Sequence, residues 1–145
     1  MARPLHSGAA HGLPMKDISI ELKRRPGELA RVTAMLARHN VTLKAGTALA
    51  IGPHLVARFI PSDLDAARAA LDGAGIRFDE SEVVAVVVES RAGELASLTS
   101  RLTEAGVTLR AIYITATTGD RVHLAIAPDN VARALEVLDQ TMPAV

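Results

Sequence analysis

The chain has 145 residues, and its 16 Lys and Arg balance its 16 Asp and Glu, so the formal charge is zero at pH 7. This balance gives no global field that would attract nucleic acid or an anionic membrane, and the absence of cysteine excludes disulfides and thiolate metal sites. No apolar run approaches the roughly 20 residues that span a bilayer, so we expect a cytoplasmic protein with no membrane segment.

The spacing of hydrophobic residues changes from segment to segment along the first part of the chain. Residues 1–14 have no periodicity, and we interpret them as a flexible tail. Apolar and polar residues alternate over 18–22, which predicts a half-buried strand. Leucine and valine recur at helical spacing from Leu29 to Leu36, and residues 41–43 resume strand character.

A second strand and a second helix complete this half of the chain. A turn at residues 52–53 precedes a returning strand over 55–60. Ser62 is then the expected N-cap of a helix whose apolar positions extend to Leu71. Two glycines end that helix, and a short fourth strand is predicted over 76–78.

The second half of the chain repeats this order of elements. Residues 83–88 predict a nearly continuous apolar strand, and a helix, two strands and a last helix follow. Residues 141–145 contain a proline and are too short to predict a full fourth strand. The second copy is therefore expected to expose a sheet edge, which native proteins usually cover.

The two halves are copies related by an offset of 66 residues. Ten of the twenty positions from Arg24 to Leu43 are identical to their counterparts at that offset. We therefore predict a tail over 1–14 and two domains over 15–81 and 82–145. The fold class predicted for each is α+β, a ferredoxin-like βαββαβ unit with an antiparallel sheet and both helices on one face.

Two segments carry a resemblance to a known family. The run from Arg25 to Ala30, with Pro26-Gly27 between a strand and a helix, and the Asn40-Val41 strand start resemble the ACT domain. ACT domains are ligand-sensing modules attached to many enzymes of amino-acid metabolism, and a chain of two such units resembles stand-alone amino-acid-binding proteins. The resemblance implies a ligand near the first strand–helix loop, often at an interface between two ACT units. It also implies units that pair side by side into a larger sheet.

We therefore expect a non-catalytic regulatory protein that binds an amino acid or a similar small effector. Gly27 would let a ligand approach the backbone, and the helix that follows offers unpaired N–H groups to a carboxylate. An amide such as Asn40 supplies both a donor and an acceptor. The expected ligand-binding residues are Arg25, Pro26, Gly27, Glu28, Leu29, Asn40 and Val41, with Gly93, Glu94 and Leu95 in the second copy.

Each of these residues also has a purely structural explanation. Gly27 and Gly93 suit a helix-entry turn that needs glycine, and Asn40 suits a helix end with left-handed backbone angles. Many ACT domains carry an acidic residue a few positions before Pro-Gly, whereas this chain has basic residues at 23–25, which favour an anionic group or simply remain solvated. The second copy has Ala92 and Gly106 in place of Pro26 and Asn40, so we expect the first loop to be the competent one.

Other classes of function lack a supporting pattern. The five histidines form no metal-ligating spacing, and no nucleophile motif, phosphate-binding loop or dinucleotide fingerprint occurs, so we expect no catalytic residues, metal or cofactor. RNA binding on such a sheet needs aromatic residues on the middle strands, and these are scarce. We expect a homodimer or larger homo-oligomer and a regulated enzyme as partners. The alternative is a module that pairs with another protein through its sheet edge and binds no small molecule.

Overall fold

A computed structural model describes residues 15–141. The chain forms two compact units, Lys16–Ser81 and, together with Met15, the residues from Glu82 onward. The elements in chain order are β1 (Met15–Lys23), α1 (Glu28–Arg38), β2 (Leu43–Ile51), β3 (His54–Pro61), α2 (Leu64–Gly73), β4 (Asp79–Glu89), α3 (Glu94–Glu104), β5 (Leu109–Thr118), β6 (Arg121–Pro128) and α4 (Val131–Thr141).

The first unit is an antiparallel sheet with two helices on one face. Strand β3 pairs with β1 on one side and with β2 on the other, and Ala57 faces both Ile20 and Ala48 across the sheet. Alternate residues of β1 and β3 are buried against α1 and α2, because successive strand side chains point to opposite faces. The core consists of Ile18, Ile20, Leu22, Val32, Met35, Leu36, Val41, Ala57, Phe59, Ala67, Ala70 and Leu71.

The second unit repeats this arrangement with β6 between β4 and β5. Its core lies between the sheet and helices α3 and α4, and includes Val86, Leu98, Leu102, Ile126 and Leu138. The predicted α+β class and tandem ferredoxin-like units are therefore confirmed. Residues 142–145, on which the prediction of an incomplete last strand partly rested, lie outside the described residues, as does the predicted tail.

Two details of the first unit differ from the sequence-based prediction. No strand covers residues 76–78, because the Ile76 N–H donates to the Leu71 carbonyl at 3.0 Å to close α2, and the strand begins at Asp79. The N-cap of α2 is Asp63, whose side chain accepts from the Ala66 N–H at 3.0 Å. Ser62 instead accepts a hydrogen bond from the Thr42 N–H at 2.9 Å.

Helix α1 ends in a Schellman motif at Asn40. This residue has φ of 60°; its N–H donates to Ala37 at 2.9 Å, and the Val41 N–H donates to Leu36 at 3.0 Å. Gly106, with φ of 78°, ends α3 by the same two bonds from residues 106 and 107. Asn40 therefore has a backbone reason to be asparagine, which tolerates left-handed angles better than other residues that carry a Cβ.

The left-handed backbone at residue 40 predicts a simple order of stabilities. Asn40→Gly should change the free energy of unfolding by less than about 0.5 kcal/mol, whereas Asn40→Ala should lower it by about 1 kcal/mol. Urea denaturation measures both, and Gly106→Ala is the matched change in the second unit. Equal stability of the glycine and alanine variants would contradict this account.

Strand β2 approaches β3 closely at Gly46. A Cβ built on Gly46 would lie 2.5 Å from the Arg58 carbonyl oxygen and 2.8 Å from the Phe59 Cβ. Gly46 and Ala48 face α1, and the space beside them is an apolar cavity of about 270 Å³. The corresponding residues of the second unit are Ile112 and Ile114. The two copies thus differ in side-chain size along this edge strand.

Gly46→Ala should destabilise the chain because the new methyl group has no room. Overpacking of this kind costs about 1–3 kcal/mol. Gly73→Ala is the control, since a Cβ there meets nothing within 4 Å and alanine favours the helix. Thermal and urea unfolding should place Gly46→Ala below and Gly73→Ala at or above the parent chain; a reversed order would refute the steric argument.

Candidate functional site

The first strand–helix loop is fixed to the turn between β2 and β3. The Arg24 N–H donates to the Pro53 carbonyl at 3.0 Å, and the Arg24 side chain donates to the Gly52 carbonyl at 3.4 Å. Gly27 has φ of 89°, in the left-handed region, and a Cβ there would meet nothing within 4 Å. Glycine is therefore required here by backbone conformation, since no neighbouring atom occupies the space beside it.

Helix α1 begins without a side-chain cap. Gly27 precedes its first residue and offers no side chain, while the Glu28 N–H donates back to the Arg25 carbonyl at 3.4 Å. The next two N–H groups, of Leu29 and Ala30, have no acceptor within the described residues. This helix start thus offers two donors and the positive end of the helix dipole to an anionic group.

Glu28 holds two guanidinium groups at this helix start. Its Oε2 accepts from Arg25 Nε at 3.1 Å, and its Oε1 accepts from Arg31 at 3.3 Å. The Glu28 side chain is 14% exposed. The hydrogen bond from Arg25 holds the pKa of the Glu28 carboxyl below its ordinary value; partial burial opposes this and Arg31 adds to it. Glu28 is therefore ionised at neutral pH and orients both arginines.

A polar cleft of about 740 Å³ opens beside this triad. We call it the polar cleft, and all of its lining belongs to the first unit. Its walls come from β1, the start of α1, the beginning of β3 and the segment after α2. The lining residues are Ser19, Ile20, Glu21, Leu22, Lys23, Arg25, Glu28, Arg31, His54, Val56, Gly75, Ile76, Arg77, Phe78 and Asp79.

Ion pairs hold the walls of the polar cleft in place. His54 Nδ1 lies 2.7 Å from Glu21 Oε2, which joins β3 to β1. Beyond the last wall residue, Arg68 binds both oxygens of Glu80 at 2.6 and 2.8 Å, and Lys16 lies 3.6 Å from the same carboxylate. The hydrogen bond from Arg68 lowers the pKa of Glu80, against partial burial. The segment that ends at Asp79 is thus anchored to α2.

The structure brings only some of the predicted site residues together. Arg25 and Glu28 line the polar cleft, and Pro26 and Gly27 form the exposed turn between them. Asn40 and Val41 lie at the other end of α1, whose 11 residues span roughly 16 Å. Val41 is buried in the core. A single amino acid cannot reach both ends of this helix within one unit.

Leu29 and Leu95 are more exposed than helical periodicity predicts. The helical spacing from Leu29 to Leu36 predicts one apolar face, but Leu29 is 37% exposed, Leu95 is 50% exposed, and Val32 and Leu36 provide the buried face of α1. Each leucine lies in the first turn of its helix, where the side chain leans toward the helix N-terminus and past the core. Both are therefore available to a ligand or to a partner.

The second loop has the same backbone but a different lining. Gly93 has φ of 92°, α3 also begins without a side-chain cap, and Arg91 donates to Glu94 at 2.9 Å. The space beside this loop, about 490 Å³, is mainly apolar, and we call it the apolar cleft. Its lining residues are Val88, Glu89, Ser90, Arg91, Ala92, Glu94, Leu95, Ile112, Tyr113, Ile114, Val122 and Leu124.

Comparison with known proteins identifies the family. A family model described as an ACT domain pair matches residues 13–142. The chain belongs to this ACT domain pair family. No curated protein matches the chain.

Several solved structures share this ACT architecture. A protein from Bacteroides thetaiotaomicron is 28% identical, with a TM-score of 0.78 over 88% of both chains. The regulatory subunit of aspartate kinase from Thermus thermophilus is 18% identical, with a TM-score of 0.63 over 91% of this chain and 95% of that one. The corresponding subunit from Thermus flavus is 20% identical, with a TM-score of 0.65 over 92% and 95%. The fold of this chain is thus also that of two regulatory subunits.

The polar cleft of this ACT protein contains residues that sequence reasoning did not select. Arg31, His54, Arg77 and Asp79 come from three separate segments, and only folding brings them beside the loop. Arg31 had a detectable signal, because it lies three residues after Glu28, a spacing at which opposite charges meet on a helix. No local pattern marks the other three.

Two kinds of feature, a metal-binding cluster and a membrane-spanning helix, are not found among the described residues. Between residues 15 and 141, no group of three or more His, Cys, Asp or Glu side chains is placed to hold a metal ion. None of the helices in that range is long and apolar enough to cross a membrane.

The lowered pKa of Glu28 predicts a pH dependence of stability. A carboxyl group whose pKa is lower in the folded than in the unfolded chain stabilises the fold above the unfolded value, and loses that contribution as pH falls through the folded value. Glu28→Gln should therefore be less stable than the parent chain at pH 7, and the difference should shrink as the pH falls below the unfolded pKa of about 4.3 and through the lower folded pKa. Urea denaturation across this range measures it.

The cause is tested in the same experiment by removing Arg25. In an Arg25→Met background, the effect of Glu28→Gln on stability should shrink and vary less with pH, because the strongest hydrogen-bond donor is gone. Parallel pH profiles for the parent and Glu28→Gln chains would contradict the assignment.

Proposed function

We propose that this chain is a non-catalytic regulatory protein that binds an amino acid in the polar cleft beside the first strand–helix loop. Membership of the ACT domain pair family supports a ligand-sensing role. The observation that carries the proposal is the juxtaposition of an uncapped helix start, charged side chains of both signs and a cleft, all in the first unit.

The charges of the polar cleft suit a zwitterion. An α-carboxylate needs N–H donors or a guanidinium, and the open N–H groups of Leu29 and Ala30 lie at the helix start next to Arg25. An α-ammonium needs a carboxylate, and Glu21 and Asp79 line the same cleft. The cleft volume of about 740 Å³ falls within the usual range of small-molecule sites.

Such a protein acts by coupling the binding of its ligand to the way its units or subunits assemble. A ligand shifts an equilibrium between two packing states only if it contacts those states differently, and such coupling is typically worth about 1–3 kcal/mol. The aspartate kinase subunits that share this fold are regulatory by name. We extend that role to this chain, with a homo-oligomer and a regulated enzyme as its proposed partners.

A thermal-shift screen of the full chain against the twenty amino acids tests the proposal. A ligand at a hundred times its dissociation constant stabilises the folded state by about 2.7 kcal/mol. For a chain of this size, that raises the midpoint temperature by roughly 5 to 10 °C. One or a few amino acids should produce this shift, with nucleotides and divalent metals as negative controls; a folded protein that no amino acid stabilises would refute the proposal.

A matched pair of variants tests whether the first loop is the site. Arg25→Met and Arg91→Met remove the same side chain from corresponding positions of the two loops. Arg25→Met should weaken binding of the active amino acid about tenfold, the usual effect of losing a charge-assisted hydrogen bond, and Arg91→Met should leave it unchanged. Isothermal titration calorimetry distinguishes the two, and the opposite order would assign the site to the second unit.

Exposed apolar side chains on β2 support a second candidate function, pairing with a protein. This nine-residue strand forms one edge of its sheet and pairs, within the first unit, only with β3. Leu49 and Ile51 on it are 60% and 57% exposed. Long apolar edges template the addition of another strand.

Sedimentation velocity tests this edge. If β2 carries the assembly, Leu49→Lys should shift a larger species of the chain toward monomer, whereas Ala116→Lys, at the exposed position of β5 that pairs with β6 as Leu49 pairs with β3, should not. Retention of the larger species by Leu49→Lys would exclude this edge as the pairing surface.

A further inference from the structure

Two cations in the polar cleft have no ion-pair partner within residues 15–141. Lys23 ends β1 and Arg77 follows α2; both line the cleft, and no carboxylate of the described chain lies within 4.0 Å of either. The other two cations, Arg25 and Arg31, are both paired with Glu28, and Arg25 keeps further N–H donors for a ligand carboxylate. The cleft therefore keeps two positive charges available for a ligand.

Lys23 and Arg77 each lie next to residues of the core of the first unit, and both line the polar cleft. Ile76 and Phe78 pack against the core of the first unit, whereas Arg77 between them lines the polar cleft. Leu22 is buried in the same core, so Lys23 next to it points to the other face of β1. Both residues line one cleft, so we expect an anion bound there to contact both.

The charges lining the polar cleft leave an excess of one positive charge. Not counting His54, four cations, Lys23, Arg25, Arg31 and Arg77, stand against the three carboxylates Glu21, Glu28 and Asp79. A neutral amino acid would leave this excess in place, whereas an amino acid with a second carboxylate would cancel it. Asp79, like the two free cations, has no ion-pair partner within the described residues, so it is available to an ammonium group.

We propose that the polar cleft selects a dicarboxylic amino acid, L-aspartate or L-glutamate. One ligand carboxylate binds Lys23 and Arg77, and the ammonium group binds Asp79. This inference rests on the proposed function and specifies the ligand class of the same site.

The second unit supplies an internal contrast. The counterpart of Lys23 there is Glu89, a reversal of charge at the same place in the repeat. The apolar cleft is lined by two carboxylates, Glu89 and Glu94, and by one cation, Arg91. An anionic amino acid is repelled there, so the inference predicts one site per chain.

Calorimetry with acid–amide pairs tests the ligand class, because glutamate and glutamine differ in charge and hardly in shape. The full chain should bind either L-glutamate or L-aspartate about tenfold more tightly than the corresponding amide at low salt, and the difference should shrink at 0.5 M salt. Glutarate, succinate and inorganic phosphate carry the negative charge without the ammonium group, and each should bind more weakly than the amino acid.

Variants locate the selectivity. Lys23→Met and Arg77→Met should each weaken binding of the acidic amino acid about threefold to tenfold and leave binding of the amide unchanged. Lys44→Met is the control, because it removes one positive charge from the same unit outside the cleft. Asp79→Asn should reduce the preference for glutamate over glutarate.

Each result separates the ligand class from the sensor function. Equal affinity for acid and amide, an equal effect of Lys44→Met, or equal binding of glutarate and glutamate would overturn the proposed ligand class and leave an amino-acid sensor. Failure of every amino acid to bind the folded chain would overturn both.

Discussion

Left-handed backbone at both ends of the first helix of each unit is the constraint on which the rest of this structure depends. The chain must turn from a strand into a helix at Gly27 and leave the helix at Asn40, both with positive φ. Gly93 and Gly106 repeat this in the second unit. Residues that carry a Cβ pay about 1–2 kcal/mol for such angles, and only glycine and, less freely, asparagine or aspartate adopt them routinely.

The two strand–helix loops share one backbone conformation but differ in the side chains that surround them. Both loops have an uncapped helix start and an arginine bound to the first helical glutamate. What differs is the surroundings: charged residues around the first loop, and Leu95, Ile112 and Ile114 beside the second. Both copies therefore keep a helix start that exposes N–H donors, and the neighbouring side chains determine whether its surroundings are charged or apolar.

Sequence reasoning succeeded where a local signal determines the structure. The order of elements, the duplication and the family follow from periodicity and from repeated motifs, and the left-handed positions follow from glycine and asparagine next to helix ends. It failed where two local signals compete, as with Ser62 and Asp63 at the start of α2. It also placed Leu29 on the buried helix face, because periodicity does not register that a first-turn side chain extends past the core.

The composition of the polar cleft could not be predicted, because it depends on which distant segments meet. Arg77 and Asp79 are about fifty residues from the loop that they face, in a stretch where the sequence suggested an ordinary strand. Motif reasoning also missed the effect of helix length: Gly27 and Asn40 both contribute to the family resemblance and yet lie at opposite ends of α1.

Lys23 of the first unit corresponds to Glu89 of the second, so the two copies carry opposite charges at this position. Two identical halves would offer two equivalent sites for the same solute, so one chain could bind two molecules of it. With opposite charge at this position, the two halves become distinguishable to an ion although their backbones repeat. The second copy also carries Ile112 and Ile114 on β5 where the first has Gly46 and Ala48, so the two copies differ in side-chain volume as well as in charge.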